Sequence, residues 1–151
     1  MSVYHIVINP AGASGRTNEC WDIIKKELDT IGVNYEVHLS TLEHGIKEIM
    51  QELTSTNERV NIILIGGDGS MNLAVNGIVN FKNTYLGLIP CGSGNDLAKS
   101  LGIHGTEIEC LHRILNDQHG KDLDVGVLTY HTRYDEKGNK VSDEPYSRRY
   151  N

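Results

Sequence analysis

Between Leu64 and Gly77 the chain reads LIGGDGSMNLAVNG, with Gly66, Gly67 and Gly69 crowded around the carboxylate of Asp68. Glycine lets the backbone approach a ligand with no Cβ in the way, and the N–H groups that open a following helix favour an anion. Two other segments share this character, NPAGASGRT from Asn9 to Thr17 and PCGSGND from Pro90 to Asp96. Phosphate is the guest such loops suit. Asp68 is electrostatically misplaced beside a phosphate unless a magnesium ion or a protonated hydroxyl stands between them. The chemistry expected is therefore that of a nucleotide with a metal. Each loop taken alone is also what an ordinary turn looks like, and Ser70 and Asn95 are good helix caps. The functional reading comes from three such loops falling after strands of one sheet.

The elements that must position them alternate between two periods. VYHIVIN (Val3 to Asn9) is a β-rich run closed by Pro10, and Trp21, Ile24, Leu28 and Ile31 then recur at helical spacing until Gly32. VNYEVHL (Val33 to Leu39) alternates as a strand, and Ile46, Ile49, Met50 and Leu53 form a second helical stripe. VNIILI (Val60 to Ile65) is a continuous apolar strand of the type buried on both faces of a parallel sheet. A helix is expected from about Ser70 to Val79, a strand over TYLGLIP (Thr84 to Pro90), a helix opening in NDLAKSL, and another around Ile108, Leu111, Ile114 and Leu115. The expected fold class is α/β, a mostly parallel sheet covered by helices. In such a sheet ligands bind beyond the carboxyl ends of the strands, where the glycine-rich loops fall.

The last third changes character. LDVGVLTYH is a strand, the polar stretch after it has a turn signal at Gly138 and Asn139, and Tyr146 to Asn151 reads as a returning strand. The division expected is a nucleotide-binding α/β domain over 1–125 and the start of a β-rich second domain over 126–151. An exposed strand edge at Tyr146 makes self-association into a homo-oligomer the expectation at high concentration.

The net charge of −6 argues against a nucleic-acid footprint spread over the domain. Cys20, Cys91 and Cys110 form no C-x-x-C pair and leave one thiol over in any disulfide scheme, which favours a reducing compartment. A buried structural role is expected for Cys91. No apolar run approaches the ~20 residues that span a bilayer, so no transmembrane segment is expected. The location expected is the cytoplasm, with at most peripheral contact with a membrane. Seven histidines are scattered, and His104, His112 and His119 have no carboxylate or cysteine at ligand spacing, so no histidine metal site is expected. Arg16, Lys25 and Lys26 are read mainly as a solvated helix face. Neither a G-x-x-x-x-G-K-[ST] loop nor a G-x-G-x-x-G after the first strand is present, which disfavours the two commonest nucleotide folds.

NPAGASG, GGDGSMNLAVNGI and LGLIPCGSGNDLAKSLGI together resemble the catalytic domain of the diacylglycerol kinase family, which includes bacterial lipid kinases and sphingosine kinases. The resemblance runs from Val3 to Gly126. It implies a two-domain enzyme whose first domain, phosphofructokinase-like and NAD-kinase-like in fold, holds ATP with Mg2+. A following β-rich domain carries much of the lipid site, and the enzyme moves the ATP γ-phosphate to a lipid hydroxyl at a membrane surface, with a diacylglycerol-like acceptor. Residue by residue it implies that Asn9, Pro10, Gly12 and Ala13 line one side of the nucleotide and that Thr41 adds a hydroxyl. Gly66, Gly67, Gly69 and Ser70 then wrap the phosphates, with Asn72 and Ser93 nearby. Asp68, Asp96 and Asp124 match acidic positions and are expected to hold magnesium through water, while the main base is expected beyond Asn151. The family usually has Thr where this chain has Ser70 and Ser93, which keeps the hydroxyl. It commonly has Glu where this chain has Leu73, so that Glu's role does not transfer. Two other readings remain: an NAD-kinase-like small-molecule kinase, in which Asp68 itself is the base, and a nucleotide-binding module without catalysis.

Overall fold

Four apolar runs become four parallel strands. In the computed structural model, which describes residues 2–91, 99–100, 102–116, 126–130, 133–134, 140–142 and 146–150, they are β1 (Tyr4–Ile8), β2 (Tyr35–Leu39), β3 (Val60–Gly66) and β4 (Thr84–Pro90). The sheet order is β2-β1-β3-β4, and every neighbouring pair is parallel. The step from β1 to β2 runs one way across the sheet, while the steps to β3 and then to β4 run the other way. Right-handed crossovers therefore put α1 (Arg16–Ile31) on one face and α2 (Ile46–Thr54) and α3 (Asp68–Gly77) on the opposite face. The expected α/β class, a parallel sheet covered by helices, is what the chain adopts.

Side-chain alternation along the strands supplies both faces. Ile6, Ile8, Ile63, Ile65 and Ile89 bury themselves against Cys20, Ile24 and Leu28 of α1 and against Cys110 and Leu111 of α4 (Glu107–Asn116). The intervening Val7, Ile62, Leu64 and Leu88 are buried as well, as are Ile46, Ile49 and Met50 of α2 and Met71, Ala74 and Val75 of α3. Each fully buried Leu or Ile contributes about 1.5–3 kcal/mol, which makes the two-sided strand β3 the anchor of the domain. His112 of α4 meets Glu27 of α1 at 2.8 Å, so this histidine ties two helices together.

Gly32 ends α1 in the left-handed region at φ 75°, as its position after the helical stripe predicts. One boundary differs. Helix α3 begins at Asp68, not at Ser70, because Gly67 takes the cap position with extended backbone at φ −114° and ψ −163°. Ser70 accordingly lies inside the first turn and is not the cap. Of the helix expected in NDLAKSL, Lys99 and Ser100 are described and helical, and Asn95 lies outside the described residues. No helix among the described residues is long and apolar enough to cross a membrane.

The chain divides into two units, Met1–Lys121 and Asp122–Asn151. In the second, β5 (Gly126–Tyr130) pairs antiparallel with β8 (Tyr146–Tyr150), Gly126 facing Tyr150. The short strands β6 (Arg133–Tyr134) and β7 (Lys140–Ser142) also pair antiparallel. The returning strand at Tyr146 thus finds its partner in β5, while the turn at Gly138 and Asn139 lies outside the described residues.

In the first unit, α2 and α3 touch at their backbones. A Cβ on Gly77 would lie 2.7 Å from that of Met50 and 3.0 Å from the carbonyl carbon of Lys47, closer than real Cβ contacts. Just beyond, the buried hydroxyl of Thr54 donates to the Met50 carbonyl at 2.6 Å and accepts from the Val79 N–H at 2.9 Å. Gly77→Ala is expected to force the two helices apart and cost about 1–3 kcal/mol of stability, measured by urea unfolding.

Candidate functional site

Strand order reverses between β1 and β3, which opens a crevice at the carboxyl end of the sheet. The register puts Ile8 opposite both Leu39 and Ile65, and Ile65 opposite Ile89. The strands therefore end level, and the loops that follow them leave at one height. The loop after β1 and the loop after β3 flank the crevice directly.

The first loop is folded by its own side chains. Asn9 accepts from the Ala11 N–H through Oδ1 at 3.1 Å and from the Gly12 N–H through its carbonyl at 3.0 Å. Pro10 precedes a single 3-10 turn over Gly12–Gly15 that includes Ala13. The loop is fastened from below by Thr17, a 1 % exposed residue whose hydroxyl donates to the Gly12 carbonyl at 3.1 Å. A Cβ on Gly12 would meet that same hydroxyl at 3.0 Å. Thr17 was not singled out from the sequence. The available signal was a hydroxyl residue two positions past a glycine, at the start of a helix.

Helices α1, α2 and α3 all begin at this end of the sheet, and all begin on glycine. Gly15, at φ 89°, Gly45 and Gly67 occupy the cap positions, and none brings a side chain to accept a hydrogen bond. The usual caps are Ser, Thr, Asp and Asn, whose oxygens take up one of the first N–H groups. The first N–H groups of a helix have no acceptor within the helix, and helix starts without a side-chain cap at Gly15, Gly45 and Gly67 suit an anion. The partial positive charge at each helix start adds to the preference for an anion.

The glycines of the third loop divide by role. Gly66, expected to wrap phosphate, is a buried packing residue, because a Cβ there would lie 2.8 Å from both Cβ and Oγ of Ser70. Its carbonyl accepts from the Cys91 N–H at 2.8 Å, which joins this loop to the end of β4. The Gly67 carbonyl accepts the first helical hydrogen bond of α3, from the Met71 N–H at 3.0 Å. Gly69 is exposed, and a Cβ there would meet no atom within 4 Å. Asp68 and Ser70 are half-buried in the first turn of α3. Asn72 lies one turn further, its carbonyl accepting from Asn76 Nδ2 at 2.7 Å.

The outer positions are looser. Thr41 is exposed and shapes the turn before α2, its hydroxyl accepting from the His44 N–H at 3.0 Å and its own N–H reaching the His44 carbonyl at 2.8 Å. Leu73 is 44 % exposed on α3. Ser93, Asp96 and Asp124 lie outside the described residues. Cys91 follows β4, half-buried against the Cys20 thiol. A hydrogen bond with the Cys20 thiol holds the Cys91 thiol below its usual range, helped by the positive charge of Arg16, and the same contact together with burial raises Cys20. Arg16, at the first position of α1, is thus within electrostatic reach of the Cys91 thiol, whereas Lys25 pairs with Asp29 at 2.9 Å on the solvated face.

The family model described as the diacylglycerol kinase catalytic domain matches residues 3–128. A diacylglycerol kinase of Bacillus subtilis (strain 168) is 34% identical over 132 residues, covering 82% of this chain and 41% of that protein. Human sphingosine kinase 2 is 26% identical over 107 residues, covering 66% of this chain and 16% of that protein. Among solved structures, a diacylglycerol kinase from Bacillus anthracis str. Sterne superposes with a TM-score of 0.68 at 23% identity, covering 85% of this chain and 44% of that one. The chain thus spans less than half the length of each of these three proteins.

The division of roles between the glycines is testable. Gly66→Ala is expected to lower stability by about 1–3 kcal/mol, since Ser70 must move, whereas Gly69→Ala should change it by less than about 0.5 kcal/mol. Chemical denaturation of the two variants beside the parent checks both.

Proposed function

Because this chain belongs to the diacylglycerol kinase catalytic-domain family, we propose that it is the ATP-holding part of a lipid kinase, moving the γ-phosphate of ATP to a lipid hydroxyl. The single observation that carries the nucleotide reading is the set of three glycine-capped helix starts at one end of the sheet. They fit a phosphate chain, with Gly69 offering the open approach that a bulky anion needs.

In this reading the backbone N–H groups after Gly15 and Gly67 hold the phosphates, and the Asn9 turn together with Gly12 lines the nucleotide. Asp68 is the residue among those described that would hold magnesium, directly or through water; Asp96 and Asp124, the other acidic positions of the resemblance, lie outside the described residues. Bound magnesium supplies neutralisation of the charge that builds on the phosphate oxygens. The chain's own part is positioning: it fixes the phosphate by donors that need no rearrangement, and it leaves the γ-phosphate facing outward. The lipid hydroxyl oxygen bonds to the γ-phosphorus as the bond to the ADP oxygen breaks, and a base takes the hydroxyl proton. That base, and the apolar site for the acyl chains, are assigned to the larger part of the relatives' length that this chain does not span. The chain is placed in the cytoplasm, meeting its lipid at the membrane surface.

Titration of the chain with Mg·ATP, followed by amide chemical shifts, is expected to perturb residues 9–17 and 66–72. Gly69→Ala should weaken binding by about tenfold or more without loss of stability, because its Cβ occupies the approach to the phosphates. Asp68→Asn should reduce the magnesium dependence of that binding. Shifts confined to another face would overturn the nucleotide reading.

A second measurement addresses the transfer itself. With Mg·ATP and diacylglycerol in mixed micelles, the chain alone is expected to move little labelled phosphate into lipid, since a missing base alone costs about 10²–10⁴-fold. Turnover at the level of a full-length relative would place the base within these residues and make Asp68 the candidate.

A further inference from the structure

Away from the glycine loops, across the edge strand β2 and its neighbour β1, two histidines and a carboxylate come together. Pairing sets His5 of β1 opposite Glu36 of β2 and Val7 opposite His38, so that His5, Glu36 and His38 project from one face. It is the face that carries α2 and α3. The imidazole rings lie 5.3 Å apart between centroids, tilted by 39°. Their side chains are mostly covered, at 21% and 26% exposure, while Glu36 is open at 62%. Among the described residues no other group brings three potential metal ligands so close.

Nδ1 of His5 is 3.1 Å from Nε2 of His38 and 3.5 Å from Oε2 of Glu36, and the third side, His38 Nε2 to Glu36 Oε2, is 4.0 Å. A triangle of these sides has one point about 2.1 Å from every corner, within the ~2.0–2.2 Å of zinc–nitrogen and zinc–oxygen bonds. A hydrogen bond between the imidazoles accounts for the first distance alone. It leaves the carboxylate oxygen beyond hydrogen-bond range of both nitrogens. The other two are ion-pair distances from the carboxylate to each imidazole, and one shared cation would satisfy all three.

We infer that His5, Glu36 and His38 form a binding site for a transition-metal dication of the zinc class, distinct from the proposed nucleotide site. Two imidazoles and one carboxylate suit zinc, and also cobalt, nickel or copper, whereas magnesium and calcium prefer oxygen alone. The magnesium that the kinase reading requires therefore does not compete here. Three protein ligands leave a fourth position open on the side of the exposed Glu36, for water or for a further donor. Glu52 of α2 is a further carboxylate in electrostatic reach of His38, and it pairs with His44 Nε2 at 3.2 Å. Bound metal clamps β2, the least covered strand of the sheet, onto β1.

The test uses the 151-residue chain stripped with chelator. Cobalt(II) is expected to bind at one equivalent with the absorption of nitrogen and oxygen ligation. Zinc should displace it and raise the melting temperature, and excess magnesium should do neither. His38→Gln and Glu36→Gln should each weaken zinc binding by about tenfold or more. Because a variant can fail for lack of folding, the unaltered chain gives a second readout: paramagnetic cobalt should broaden the ring signals of His5 and His38 and spare His104 and His112. A thiolate-to-cobalt absorption band would put the ion at a cysteine and overturn the inference. Unbroadened His5 and His38 signals at saturation, or unchanged affinity in folded His38→Gln, would overturn it as well. None of these outcomes depends on whether the glycine loops bind ATP.

Discussion

The in-register parallel pairing of β1 with β3 governs everything at the ligand end of this domain. With Ile8 opposite Ile65, the Asn9 turn and the Gly66–Gly67 turn leave the sheet side by side. Slipping that ladder by one residue would turn the buried isoleucines of β1 to the wrong face and offset the two loops by about 3.3 Å. The same apolar side chains that hold the sheet together thus set where the two loops leave it. The crevice is a by-product of where strand order reverses, and the glycines make it usable.

A site built from backbone donors has a particular tolerance. Replacing side chains around such a site alters little as long as the main chain keeps its path. The positions it cannot vary are those where the main chain is pressed against something. Gly66 under Ser70 and Gly77 under Met50 are of this kind, and so is Thr17, which holds the Gly12 carbonyl from beneath.

Most of this architecture could be read from the chain. Strands and helices announced themselves by two distinct periods, and Gly32 marked a helix end for a local steric reason. What escaped reading were relations between distant segments. The helix α3 began two residues early because a glycine, with no side-chain signature of a cap, took the cap position. Gly66 and Gly69 look alike in sequence, and only the position of Ser70 separates a packing glycine from an open one. His5 and His38 are 33 residues apart and meet only through the strand register, so no local spacing could join them with Glu36. His112, for which no metal role was expected, meets Glu27 from 85 residues away and ties α4 to α1, a contact no local spacing announces.

Helix α3 has one end in the crevice and the other, about 15 Å away, wedged under α2 at Gly77. Thr54 bolts the far end by bridging the last turn of α2 to the Val79 amide. A rod fixed at its tail cannot slide along its axis when its head is pulled; it can only pivot. Any tug on the Asp68 end is therefore delivered as torque to α2, and the two helices share a common fate in local unfolding, exposing their amides to exchange together and not one after the other.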